Sequence, residues 1–261
     1  MKKKILAALT AATLVLCGWT TAFAQEEDEA PYVVPVDTFT CNYNEGKGPA
    51  DLKKAIAKWN KWMDDQGTDT YGAMIMTPYY YGEDSFDIGW LGYWTSQEAM
   101  GAGLDKYLAE GGESAQGFNE VLTCASHSHW ATIQLKAPSA AQQEKGVLMF
   151  SDCSIESEDG WDDLYASLKK SAAYMTEQNY NNGMWMMWPV FGAGGESTYD
   201  FKAVTHWDNY TDFGKAYQHR ANGGGRQALN EIMGDQLDCD TSRVYNTKTV
   251  RRVPPPEADQ G

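Results

Sequence analysis

Phe86–Cys124 reads FDIGWLGYWTSQEAMGAGLDKYLAEGGESAQGFNEVLTC, and Tyr199–Cys239 reads YDFKAVTHWDNYTDFGKAYQHRANGGGRQALNEIMGDQLDC. Both open on an aromatic residue followed by Asp. Both pass through a Trp, a Gly seven residues on, a Gly-Gly and an Asn-Glu pair, and both end on Cys. The offset is 199 − 86 = 113 at the start and 207 − 94 = 113 at the tryptophans. A unit written twice at a fixed offset sets the architecture before any single element is assigned.

Working outward, each copy gains the same flanks. In the first, hydrophobic period and breakers predict a strand over Val33–Cys41 and a helix over Pro49–Gln66 with Pro in its first turn. A strand over Tyr71–Thr77, stopped by Pro78, and a strand over Phe86–Trp94 follow. A helix from a Ser96 cap to Glu110, a short helix over Ala115–Leu122 and a strand over His129–Lys136 complete it. The second copy repeats this as strand Val147–Cys153, helix Trp161–Gln178, strand Gly183–Trp188 before Pro189 and strand Tyr199–Trp207. Helix Thr211–Ala221, short helix Gln227–Met233 and strand Arg243–Val253 close the series. Each unit is β-α-β-β-α-β, the ferredoxin-like order, in an α+β chain. The expected domains are 33–136 and 147–253, joined by a polar linker over 137–146 and followed by a disordered tail over 254–261.

The cysteines agree with the duplication. Cys41 and Cys153 are 153 − 41 = 112 apart, and Cys124 and Cys239 are 239 − 124 = 115 apart. Four cysteines allow three pairings, and the repeat selects Cys41–Cys124 with Cys153–Cys239. The ferredoxin-like strand order, 4-1-3-2, places the end of strand one beside the start of strand four, which suits the same pairing. Met184-Trp185-Met186-Met187-Trp188 and Ala73-Met74-Ile75-Met76 are apolar on both faces, so the side of each sheet away from its helices needs a cover. The other copy supplies it, sheet to sheet. That arrangement resembles the dimeric α/β-barrel superfamily, with two units fused in one chain as a pseudo-dimeric barrel. The superfamily includes cofactor-free monooxygenases, haem-degrading enzymes and chlorite-dismutase-like haem proteins. The resemblance rests on topology and duplication over nearly the whole chain after residue 24, with no catalytic motif matched, and it implies a monomer with an internal pseudo-twofold axis.

Residues 1–24 read as a signal peptide, with Lys2-Lys3-Lys4, an apolar run to Cys17 and Ala22-Phe23-Ala24 before the cleavage point. The expected location is periplasmic or secreted, without membrane insertion, because the apolar run is too short to span a bilayer. The chain carries 21 Lys and Arg against 36 Asp and Glu, a net charge of −15. Losing three lysines makes it −15 − 3 = −18. Such an acidic chain is a poor partner for nucleic acid or an anionic membrane.

The third strand of each copy offers the functional candidates. By alternation Ile88, Trp90, Gly92 and Trp94 share one face and Gly89, Leu91 and Tyr93 the other. Phe201, Ala203, Thr205 and Trp207 likewise oppose Lys202, Val204 and His206. The expectation is a ligand pocket walled by Trp94, Trp185, Trp188 and Trp207, with Tyr93 and His206 as polar and candidate catalytic groups; ordinary aromatic core packing is the competing reading. His127-Ser128-His129 puts two imidazoles on one strand face, a spacing used by copper and zinc, but no third ligand is evident. His219 reads as a surface residue, and haem attachment has no C-x-x-C-H to rest on. No cofactor is expected. The sequence therefore points to a binder of a small apolar or aromatic molecule. A cofactor-independent monooxygenase-like enzyme is the alternative, and an interaction module using the Tyr79–Tyr81 hairpin is a third.

Overall fold

The computed structural model describes residues 31–82, 85–138, 144–157, 160–192 and 198–253. The expected signal segment, residues 139–143 of the expected linker and the tail from 254 lie outside the described residues. In chain order the elements are β1 (Val34–Tyr43), α1 (Pro49–Asp65), β2 (Tyr71–Tyr80), β3 (Ile88–Trp94), α2 (Gln97–Glu110), α3 (Gly112–Asn119) and β4 (Leu122–Lys136). Then come β5 (Lys145–Ile155), α4 (Trp161–Glu177), β6 (Asn182–Phe191), β7 (Phe201–Trp207), α5 (Tyr210–Asn222), α6 (Gly225–Met233), β8 (Leu237–Cys239) and β9 (Arg243–Arg251). The caps behave as their residue types dictate. Ser96 Oγ accepts from the Ala99 N–H at 3.0 Å to start α2, and Asn209 Oδ1 accepts from the Asp212 N–H at 2.9 Å to start α5.

The sheet order is β7-β6-β4-β1-β3-β2-β9-β5-β8, and β5 also pairs with β7. Eight antiparallel strands therefore close into a barrel, and β8 hangs on the edge of β5. The N-terminal half contributes the run β4-β1-β3-β2 and the C-terminal half the run β9-β5-β7-β6. Rather than two sheets meeting only face to face, the halves are hydrogen-bonded along β4–β6 and β2–β9. This is where the proline stops mislead. β2 runs through Pro78 to Tyr80 and β6 through Pro189 to Phe191. In each joint the register skips a residue beside the proline: Pro78 faces Tyr245 and Tyr80 faces Val244, while Pro189 faces Trp130 and Phe191 faces His129. A bulge removes the need for the amide hydrogen that proline lacks.

β4 is the other departure. It begins at Leu122 rather than His129, so Cys124 lies inside it, directly across from Cys41 where the β1–β4 register shifts. Cys41–Cys124 and Cys153–Cys239 are bonded, the second pair across β5 and β8.

Val36, Met76, Leu91, Trp130, Leu148, Phe150, Met187, Val204 and Tyr245 form one buried cluster. Every barrel strand contributes to it, so these side chains fill the barrel interior. The opposite faces of the strands carry the helices. Leu52, Ala55 and Ile56 of α1 pack on Cys41 and Ile88, and Leu164 and Leu168 of α4 pack on Cys153 and Phe201.

The two halves also reach over each other. Val250 of β9 packs into the cluster under α1, and Ile133 of β4 into the cluster under α4. Neither α1 nor α4 has a basic residue in its last turn. Arg251 donates to Asp64 Oδ1 at 2.9 Å and to the Thr68 carbonyl just past α1. Lys136 donates to the carbonyls of Tyr180 and Asn182 just past α4, at 2.9 and 2.6 Å. Each half thus supplies the cation that the negative end of the other half's first helix favours. Among the described residues no helix is long and apolar enough to cross a membrane.

Candidate functional site

Asp37 sits in β1 between Val36, which faces the barrel interior, and Thr38, so alternation turns its carboxylate outward, toward the helices. It is only 8% exposed. A carboxylate there needs partners, because burying an unpaired charge costs several kcal/mol. His129, its direct neighbour on β4 and also 8% exposed, places Nδ1 2.9 Å from Oδ1. The indole Nε1 of Trp94 donates to Oδ2 at 3.4 Å. His127, two residues along the same face of β4, brings Nε2 to 4.0 Å from Oδ1. Its side chain is 55% exposed and its ring stacks on Phe39 at 3.8 Å. Phe191, where β6 ends, stacks on His129 with centroids 5.7 Å apart. Helix α2 closes over Trp94 at Gly103, where any Cβ would overlap the indole ring.

A carboxylate can only accept, so the Nδ1–H of His129 donates to Asp37. An imidazole held at Nδ1 by a carboxylate is an arrangement that can serve as a general base, with its ring orientation fixed from behind. Burial pushes the His127 imidazole below its ordinary value, with the Asp37 charge pulling the other way.

The C-terminal half shows what the fold itself requires at this place. Leu148 faces Tyr245 there as Val36 faces Trp130 in the N-terminal half, and the next register pair outward is Met149–Val244 where the first half has Asp37–His129. Trp207 is 4% exposed and, among the described residues, its Nε1 finds no hydrogen-bond partner, whereas Trp94 has Asp37. An apolar pair satisfies the wall; the Asp–His pair is an addition in one half only.

The residues expected to form one pocket are distributed. Trp94 packs with Trp59 and Tyr71 under the first half's helices, Trp207 with Val147 and Ala216 under α5, and Trp188 against the cluster under α4. Only Trp185 among the four packs on the barrel interior. In a closed barrel the outward faces of strands from different halves diverge, so these indoles cannot share a wall. Tyr93 and His206 do face the interior, as alternation requires, but on β3 and β7, which lie across the barrel from each other. The Tyr93 hydroxyl bonds the Val253 backbone. His206 lies over Gly146, where a Cβ would overlap Nε2, and burial pushes its pKa down. His127 and His129 share a face as expected, yet among the described residues no group of three or more His, Cys, Asp or Glu is placed to hold a metal ion. His219 is packed rather than free at the surface: its Nδ1 is 2.8 Å from the Tyr180 hydroxyl and its ring covers Gly223. The residues that sequence reading passed over are Asp37 and Phe191. The available signal was one carboxylate inside an apolar strand, VVPVDTFTC, opposite a methionine in the matching strand VLMFSDC. A surface depression of about 520 Å³ lined by Arg220, Arg226, Gln227 and Asn230 lies between α5 and α6, and none of Asp37, His129, Tyr93, His206 or the four tryptophans lines it.

No family model and no curated protein matches the chain. Solved structures do. One is a protein provisionally assigned as a chlorite dismutase, 9% identical, with a TM-score of 0.51 over 84% of this chain and 95% of its own. Another, provisionally assigned as a monooxygenase from Lactobacillus acidophilus NCFM, is 11% identical, with a TM-score of 0.50 over 85% of this chain and 95% of its own. At such identities the likeness concerns the fold: an antiparallel eight-stranded barrel with outer helices, similar to the dimeric α/β-barrel proteins.

Proposed function

We propose that the protein binds a small aromatic or apolar molecule on the helix-covered face of β1 and β4, and that Asp37 and His129 together act on it as a base. The observation that carries this reading is the buried 2.9 Å contact between Asp37 and His129 at a register position where the other half is content with Met149 and Val244. Phe191 stacks on the His129 imidazole, Phe39 stacks on His127 beside it, and the Trp94 indole meets Asp37, so the pair has aromatic surface about it. The substrate class that suits such a base is a phenol, quinol or similar molecule with an acidic proton. With molecular oxygen as the second substrate, the deprotonated ring would follow the course of a cofactor-independent monooxygenase, and the fold of the provisional monooxygenase supports that alternative.

We also read the two halves as copies of one ferredoxin-like unit, spanning 33–136 and 147–253. The shared strand order, the shared helix caps and the sequence repeat support this. The chain is then a monomer in which the second copy stands where a dimer would have a partner. The basic-then-apolar start and the two disulfides support export to an oxidising compartment.

The test is a thermal-shift screen of phenols and quinols on the wild-type protein and on Asp37→Met/His129→Val, followed by oxygen uptake with any compound that shifts the wild type. A compound that raises the wild-type melting point and loses that effect in the folded double variant supports the site. Compounds that shift both proteins equally would overturn it.

A further inference from the structure

We propose a second binding site, independent of the Asp37–His129 reading, in which Tyr79, Tyr80 and Tyr210 hold a methylated or quaternary ammonium ion. Because β2 runs past Pro78, Tyr79 becomes the extra residue of the bulge and Tyr80 follows it opposite Val244; they are 51% and 57% exposed. Tyr210, in the first turn of α5, is 38% exposed and meets them there. The ring centroids of Tyr79 and Tyr80 are 4.8 Å apart with planes inclined at 77°; those of Tyr79 and Tyr210 are 5.1 Å apart and inclined at 50°. Three rings tilted against one another form a corner of aromatic faces rather than a flat patch. Its geometry is held: the Tyr210 hydroxyl donates to Asn246 Oδ1 at 2.9 Å, and its ring rests on Phe213 at 5.9 Å.

The ligand class follows from charge and from the type of ring. An aromatic face attracts a cation through its quadrupole, most effectively when the cation is weakly hydrated, as a methylated ammonium is. The chain carries 36 acids against 21 bases, and Asp208 and Asp212 flank Tyr210 in sequence. The long-range field therefore draws cations and repels the anionic ligands that the same tyrosines might otherwise take by hydrogen bonding. The molecule already makes such a contact within itself, with Lys202 Nζ 4.3 Å from the Tyr199 ring centroid. At the matching end of β6 the residues are Val190 and Phe191, with Phe191 committed to His129, so that end carries no such corner.

Ligand-observed NMR on the full protein tests this with choline, tetramethylammonium and 3,3-dimethylbutan-1-ol, the uncharged isostere of choline. The two cations should bind, with the isostere at least about fivefold weaker. Tyr79→Leu and Tyr80→Leu should each weaken choline binding about 3- to 30-fold. Leu108→Ala, on the 80% exposed position of α2, should leave it unchanged, and near-UV circular dichroism checks that each variant is folded. Equal binding of the isostere, no choline binding, indifference to both tyrosine substitutions, or binding to phosphatidylcholine vesicles without binding to free choline would each overturn the proposal.

Discussion

Replacing Asp37 and His129 one at a time and then together separates a functional pair from a structural pin. His129→Val leaves the Asp37 carboxylate buried, with the Trp94 indole at 3.4 Å and the His127 ring at 4.0 Å as its remaining company. Breaking a buried pair on one side costs about 3–5 kcal/mol. For a domain of this size, roughly 2–4 °C of melting temperature goes with each kcal/mol, so the single variant should melt about 6–20 °C lower. Asp37→Met alone leaves the His129 Nδ1–H without its acceptor and should cost less, about 1–3 kcal/mol. The double variant, Asp37→Met/His129→Val, recreates the Met149–Val244 pair that the same barrel already carries in its other half. It should recover to within about 1 kcal/mol of the wild type or exceed it, since apolar replacements of buried ionic pairs are often neutral or stabilising. Urea unfolding at pH 7, closed as a double-mutant cycle, reads the coupling directly. A double variant as unstable as the sum of the single ones would show that the pair holds the wall together, and the argument from the contrast between halves would fail.

Three further outcomes are expected. Burial lowers the pKa of His206 below that of the unfolded chain, so the unfolded state takes up the proton first as pH falls. His206 therefore contributes a loss of stability that grows as pH drops below about 6.5, and His206→Gln should flatten the fall in urea midpoint between about pH 6.5 and 5; parallel slopes would contradict this. Gly103→Ala forces a methyl into the Trp94 ring and should cost about 1–3 kcal/mol, with a changed near-UV tryptophan band, whereas Gly101→Ala, which meets nothing within 4 Å, should be neutral or slightly stabilising. Cys153→Ser/Cys239→Ser opens a loop of 86 residues and should lower stability by about 4–5 kcal/mol in the chain-entropy account, measured by guanidinium unfolding.

Much of the architecture was legible because similar stretches recur at an offset of 113 residues. The cysteine spacings carried the pairing, and strand alternation put Leu91 and Tyr93 opposite Trp90 and Trp94, as the clusters around them show. The misreadings were non-local. Pro78 and Pro189 look like stops until a partner strand offers a bulge, and that partner comes from the other half of the chain. The four tryptophans look like one wall because a sequence records which face a residue takes but not how the barrel curves. Asp37 was lost among 36 acids. Its meaning depends on a contact with a residue 92 positions away, in a register set by a bulge between Thr40 and Cys41.

The way the halves reach over each other also fixes when the chain can fold. β2 waits for β9, and Ala73 is paired with Arg251, 251 − 73 = 178 residues later. Until the final strand has been synthesised, β2 keeps a bare edge and the end of α1 lacks its arginine. Such distant pairing makes for late and slow assembly, and it leaves an unpaired strand exposed to neighbouring chains in the meantime. A chain cut short before Arg243 should therefore remain protease-sensitive throughout, including its first hundred or so residues, because closure of the barrel waits on the arrival of β9.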